Sequence, residues 1–318
     1  METTNRKQGY FCIAVTTVLF SLMEIALKFI GNDLNPIQVT FSRFLFGGLV
    51  LLPFALRLLR RLAAEDIHME KADLRYFAFL GTIGIVISMT LYQLATLHAN
   101  ASVVAVCSAT ALNVVLAYLI LREPIHGRNI AALLLDIVGI IIIIAPWNMD
   151  IAFSGVAFTL SATLIFALYT VLGKRKCYKF GGLTVTCFGF LFGSIELIGL
   201  AAIGHIPVVA DFLIAHGLQN FAYVPFLSGY TLQNLPVVLF VYLGVTGLGF
   251  ASYFTAMEKT SANTAALVFF FKPVLAPILA FLILHEEIPL HMMIGILFIL
   301  AGSMTNILPG LLQHRSTH

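Results

Sequence analysis

Apolar runs of about twenty residues follow one another along almost the whole chain, and no other feature constrains its fold as tightly. A spanning helix needs about 20 mostly apolar residues. Ten segments qualify: 10–30, 36–56, 74–97, 100–121, 128–145, 151–173, 183–203, 236–257, 262–284 and 290–308. The runs show no dyad alternation, and a helix satisfies its own backbone in lipid, so helices are expected rather than strands. Only 10% of residues are charged, whereas a soluble domain carries roughly a quarter. Such a chain could not cover its own surface in water, and no soluble domain is expected. The first run follows a short basic segment. It is too long for a cleaved signal and lacks a small-residue cleavage site, so it reads as a retained spanning helix.

The positions of Lys and Arg set the topology. Of the 18 such residues, all but Lys28, Arg43 and Lys272 fall in one set of alternate connections. A wrong helix count would scramble that pattern. Under the positive-inside rule both termini are then cytoplasmic, in a multi-pass protein of the cell membrane.

The chain also repeats itself. A gapless shift of 163 pairs Gly81 with Gly244, Gly84 with Gly247, Asn100 with Asn263, Glu123 with Glu286 and Gly139 with Gly302. The first helices of each half align at a shift of 146, which matches Phe20 to Phe166 and Lys28 to Lys174. The difference between the shifts is a net insertion in the second half, within about 204–235. That stretch carries His205, Pro207, Asp211, His216 and Pro225, so an extracytoplasmic cap is expected, with a short interfacial helix inside 207–221. The units are 1–146 and 147–318. Five helices is an odd number, so the second unit enters from the opposite face. The expected fold is all-α, ten transmembrane helices as two inverted five-helix repeats. Such repeats give two asymmetric packings, the physical basis of alternating access, with substrate near the midplane.

Several short motifs mark particular helices of the two halves. Pro36, Arg43 and Phe44 open the second helix, and Ala99-Asn100-Ala101-Ser102 opens the fourth. Leu-Arg-Glu-Pro at 121–124, Leu-His-Glu-Glu at 284–287 and Ala-Leu-Tyr-Thr-Val at 167–171 complete the set. In their order and duplication these resemble the drug/metabolite transporter superfamily, specifically proteins with two EamA-type domains, over nearly the whole chain. The resemblance implies a ten-helix secondary transporter with a central site between the halves, often an exporter of amino acids or other metabolites.

The repeat sorts the chemically conspicuous residues. Glu123 and Glu286 recur at equivalent helix ends and read as structural. Lys272 breaks the symmetry, since its equivalent is Ala109. It sits midway along a helix, inside Phe-Phe-Phe-Lys-Pro, where an ammonium costs about 2.5–3.5 kcal/mol. Pro273 and Pro277 free carbonyls one turn back, as in the interrupted helices of transporters. Lys272 is therefore the leading substrate-binding candidate, and an ion pair with Asp136 or Glu196 is the structural alternative. Glu24 precedes Lys28 at the favourable i, i+4 spacing, so mutual neutralisation is one reading. A carboxylate in an apolar site is the other, and it makes Glu24 a candidate for both substrate binding and proton coupling. Glu196 is the second coupling candidate. Arg43 either organises the extracytoplasmic end or attracts an anionic group. Asn113 and Phe269 complete the substrate-binding set.

Other chemistries find little support. His285, Glu286, Glu287 and His291 lack the spacing of a zinc motif, and no metal or cofactor is expected. Cys12, Cys107, Cys177 and Cys187 form no CxxC pair and behave as small hydrophobes. The clustered Lys and Arg need no nucleic-acid partner. An intramembrane enzyme would need clustered ligands at a helix end, so the chain is not read as one. A secondary transporter of a small molecule is expected, with a passive channel or lipid scramblase as the alternative.

Overall fold

The computed structural model describes residues 2–31, 33–108, 116, 120, 127–144, 153–260, 262–265 and 267–313. Among them every regular element is a helix. In order these are α1 (Glu2–Ser21), α2 (Met23–Ile30), α3 (Pro36–Ala64), α4 (Lys71–Gly81), α5 (Thr90–His98), α6 (Ala101–Cys107), α7 (Gly127–Ile144) and α8 (Phe153–Phe180). They continue with α9 (Gly182–Ile203), α10 (Pro207–Ala215), α11 (Leu235–Leu239), α12 (Phe250–Lys259), α13 (Ala262–Ala265), α14 (Leu267–Leu284) and α15 (Leu290–Gln313). π-helical segments, Thr82–Met89 and Phe240–Gly249, join α4 to α5 and α11 to α12.

Local chemistry explains where elements begin. The Asn35 side chain accepts from the amides of Ile37 at 2.8 Å and Gln38 at 3.4 Å. Pro36 then occupies the first helical turn, where no backbone donor is needed. Six continuous helical stretches are long and apolar enough to cross a membrane: Lys7–Ile30, Pro36–Ala64, Lys71–His98, Phe153–Phe180, Gly182–Ile203 and Leu235–Lys259. The apolar helices Ile130–Ile143, Phe271–Leu284 and Leu290–Gly302 are shorter. Of the fourth expected segment, 100–121, the first part is described and includes α6, while 109–115, 117–119 and 121 lie outside the described residues. Large apolar side chains such as Phe11, Phe54, Leu134, Ile195 and Phe281 stand exposed on the helix surfaces. Surface of that kind belongs in lipid.

The expected helix at 207–221 is present as α10 and a single 3₁₀ turn, Gln219–Phe221. The chain beyond it is tied to the start of α3. Asn35 Nδ2 donates to Asn220 O at 3.1 Å, Gln38 Nε2 to Ser228 O at 2.8 Å, and Tyr230 OH to Ser42 Oγ at 3.1 Å. Gly229, at φ +92°, passes so close to Asp33 that an added Cβ would lie 2.7 Å from its carbonyl oxygen.

The packing of the two halves obeys the sequence repeat. Helix α7 lies against α15, its equivalent in the other half. A Cβ at Gly139 would meet Gly295 O at 2.7 Å, and one at Gly302 would meet Ala132 O at 2.8 Å. The shift of 163 converts Gly139 into Gly302 and Ala132 into Gly295, so each contact is the image of the other. As one helix ascends from 132 to 139 its partner descends from 302 to 295. Equivalent helices that pack antiparallel make the repeats inverted. A second pair of contacts agrees. Gly47 meets Gly247, and Gly193, which matches Gly47 at the shift of 146, meets Gly81 and Ile85. Both π segments fall in the third helix of their repeat, on either side of these contacts. Such bulges collect at functional sites.

Candidate transport site

Glu24 lies at the start of α2, two residues beyond Leu22, in the first span Lys7–Ile30. Lys272 lies on α14 directly before Pro273, one turn from Pro277. The fold brings the two together across the repeat boundary, with Lys272 Nζ 2.5 Å from Glu24 Oε1. Both are buried, Glu24 at 1% exposure and Lys272 at 2%. The ammonium has three donors, and each has a partner. Besides Glu24, it reaches Ser108 Oγ at 3.2 Å and Tyr92 OH at 3.3 Å. The Tyr92 hydroxyl in turn donates to Glu24 Oε1. Glu24 Oε2 has no hydrogen-bond partner. The pair is thus anchored on the lysine side and open on one carboxylate oxygen.

Lys28 does not neutralise Glu24, and the i, i+4 reading gives way to tertiary partners. Its Nζ donates to Ala99 O at 3.1 Å and Glu286 Oε1 at 3.4 Å. Glu286 itself accepts from the amides of Ala101 at 2.9 Å and Ser102 at 3.1 Å, and from Ser102 Oγ at 2.7 Å. A carboxylate of the second repeat therefore satisfies the orphan donors at the start of a first-repeat helix. Burial pushes the Glu286 carboxyl up, but the Ser102 hydroxyl, the two amides and Lys28 together hold it below the usual carboxylate range. At another cross-repeat contact, Lys176 and Lys179 at the end of α8 bind Asp73, which opens α4, with Lys179 at 3.1 Å.

The remaining expected residues are spread more widely. Glu196 accepts from Thr82 Oγ1 at 2.6 Å and is half-buried on α9, away from Lys272. Asp136 is buried between α7 and α15, with Oδ1 2.6 Å from where a Cβ on Gly302 would lie. Neither is the partner of Lys272, so the structural ion pair weighed for them is replaced by one with Glu24. Phe269 packs edge-on against Tyr253, ring centroids 5.5 Å apart, and Phe271 is exposed. Asn113 and Glu123 lie outside the described residues. Arg43 is fully buried on α3, beside Met89 at the end of the first π segment. Tyr92 and Ser108 were missed by sequence reasoning, because a lone Tyr or Ser in an apolar run carries no pattern.

Family comparison decides what such a core belongs to. An EamA-like transporter family model matches residues 7–145 and again 153–308. The chain belongs to the EamA-like transporter family. This EamA-like protein is 33% identical over 310 residues to an uncharacterized transporter of Clostridium kluyveri, covering 94% of this chain and 93% of that one. It is 23% identical over 197 residues to an S-adenosylmethionine uptake transporter of Rickettsia bellii, covering 61% and 64% of the two chains. A solved crystal structure with 16% identity shares the EamA-like fold at a TM-score of 0.63, over 97% of this chain and 98% of its own. The protein is a multi-pass membrane transporter.

Proposed function

We propose that the chain is a secondary active transporter, moving a small metabolite of the amino-acid kind by alternating access. The buried Glu24–Lys272 pair carries this reading. It joins one repeat to the other, and the helix that carries Lys272 contains Pro273 and Pro277. An ion pair of this kind is a switch. A proton on Glu24 removes its charge and frees the ammonium, and a solute that competes for either partner does the same. Each event loosens a contact between two inverted halves, and it does so from a site neither face can reach unless the halves rock.

Inverted repeats supply two packings of similar energy, and substrate binding shifts the balance by its differential affinity for them. The S-adenosylmethionine named for the Rickettsia relatives is an amino-acid derivative, which supports a zwitterionic solute here. Alternating access serves export and uptake alike, and the imposed gradients set the direction. The alternation of Lys and Arg supports cytoplasmic termini, in a protein of the cell membrane.

Purified protein in proteoliposomes tests the proposal. Labelled amino acids and S-adenosylmethionine are supplied with and without a pH gradient. Saturable flux that changes with the gradient is expected for at least one. Flux that never saturates and ignores the gradient would favour the channel or scramblase instead.

A further inference from the structure

Arg43 is the least explained charge in the structure. Its side chain is fully buried, at 0% exposure. A guanidinium has five donors, and here Nε and Nη1 have no hydrogen-bond partner at all. Nη2 donates only to the thioether of Met89, at 3.6 Å, a weak acceptor. The ring of Phe44 offers its face 4.6 Å from Cζ, which offsets part of the desolvation and none of the directional need. Among the described residues no carboxylate pairs with Arg43. Glu24 is held through Oε1 by Lys272 and Tyr92.

Charge balance sharpens the point. Glu24 and Lys272 cancel, so the centre built from these three residues retains one positive charge. An unpaired buried charge is expensive enough that proteins rarely keep one without use. Its neighbours point the same way. Gln93, one helical turn beyond Met89, is buried with both its amide oxygen and its amide nitrogen unpartnered, and Thr90 Oγ1 is likewise unpartnered. Met89, the thioether contact of Arg43, closes the first repeat's π segment. Unsatisfied donors and acceptors therefore gather at the end of the first repeat's π segment.

We infer that Arg43 is the carboxylate seat of the transport site, so that the transported solute bears a carboxylate held bidentately by the guanidinium, with Gln93 beside it. This rests on the transporter reading above and divides the labour within it. Lys272 is already satisfied by Glu24 and serves the switch, while Arg43 recognises the solute. A planar fork matches a carboxylate in two parallel bonds, which a lysine ammonium cannot copy.

The test measures thermal stabilisation of the purified full chain in detergent at constant ionic strength. The probes are sodium acetate, L-alanine, L-glutamate and S-adenosylmethionine, with sodium chloride and L-alaninamide as controls. A ligand that binds the folded state raises the unfolding temperature in proportion to its occupancy. At least one carboxylate should stabilise the wild type saturably, and alaninamide should not. Arg43→Gln should weaken that binding about tenfold or more, and Arg43→Lys should recover only part of it. Removing an unpaired buried charge leaves no partner stranded, so Arg43→Gln without ligand should unfold no earlier than the wild type. Equal stabilisation of wild type and Arg43→Gln, or no stabilisation by any carboxylate, overturns the inference. The transporter reading fails separately, through the gradient-independent flux described above. A carboxylate that binds wild type through Arg43 in a protein showing only such flux would keep the seat and remove the carrier.

Discussion

A lysine amid Phe-Phe-Phe and two prolines has few ways to remain charged, and Lys272 uses three partners to do so. Removing one member of a buried pair strands the other, at a cost of about 3–5 kcal/mol. Lys272→Ala is therefore expected to abolish transport and also to lower stability, by leaving Glu24 without its cation. The double change Glu24→Gln with Lys272→Met removes both charges and should restore the unfolding temperature without restoring flux. Lys272→Arg should recover transport only in part, because a planar guanidinium does not replace a compact ammonium. Normal flux through Lys272→Met would show that the charge is dispensable. A second prediction concerns Glu286. Its carboxyl titrates below the ordinary 4.5 in the folded protein, so its contribution to stability is present above that pH and lost as pH falls through the folded value. On acidification below about 4.5 the wild type should lose its stability advantage over Glu286→Gln. Parallel unfolding temperatures for the two across that range would contradict this.

At the scale of elements, the glycines at helix crossings limit how the halves can meet. A Cβ at Gly139 would stand 2.7 Å from the backbone oxygen of Gly295, and a backbone atom cannot swing aside as a side chain does. Gly139→Ala should cost about 1–3 kcal/mol through overpacking, read as a lower unfolding temperature. Gly199→Ala, inside α9 with nothing within 4 Å of the added carbon, should not lower it. These crossings were legible in outline, since Gly139 and Gly302 pair under a simple shift. Their contact with one another's helix was not, because an offset says which residues are equivalent and nothing about which ones touch. The same limit explains the site. Glu24 and Lys272 stand out in the chain as charges in apolar runs, yet local spacing favours Lys28 as the partner of Glu24. Long-range packing overrides it, sending Lys28 to Glu286 and Lys272 to Glu24. Arg43 was conspicuous as a charge, whereas its want of a partner is a property of the packed interior alone.

For the whole molecule, the inversion of the repeats has a consequence that reporters can read. Helix α3 has 29 residues, a length of about 43 Å at 1.5 Å per residue, well beyond the roughly 30 Å of a hydrocarbon core. Its two ends must therefore face opposite sides. The loop containing Asn220 and Ser228 is hydrogen-bonded to the start of α3, at Asn35 and Gln38, and so belongs to the side opposite residue 65, just beyond its end. With Lys and Arg gathered at the far end of α3, the positive-inside rule predicts that residue 65 is cytoplasmic. Helix α9 runs from Gly182 to Ile203 and ends beside that same loop, where Tyr223 N donates to Gly204 O, so residue 177, before its start, is predicted to be cytoplasmic as well. Fusion reporters at 65 and 177 should thus report cytoplasm, and those at 148 and 220 the far side. A cytoplasmic signal at 220 together with one at 65 would place both ends of α3 on one face, and neither the inverted arrangement nor a central site shared by two opposed repeats would survive it.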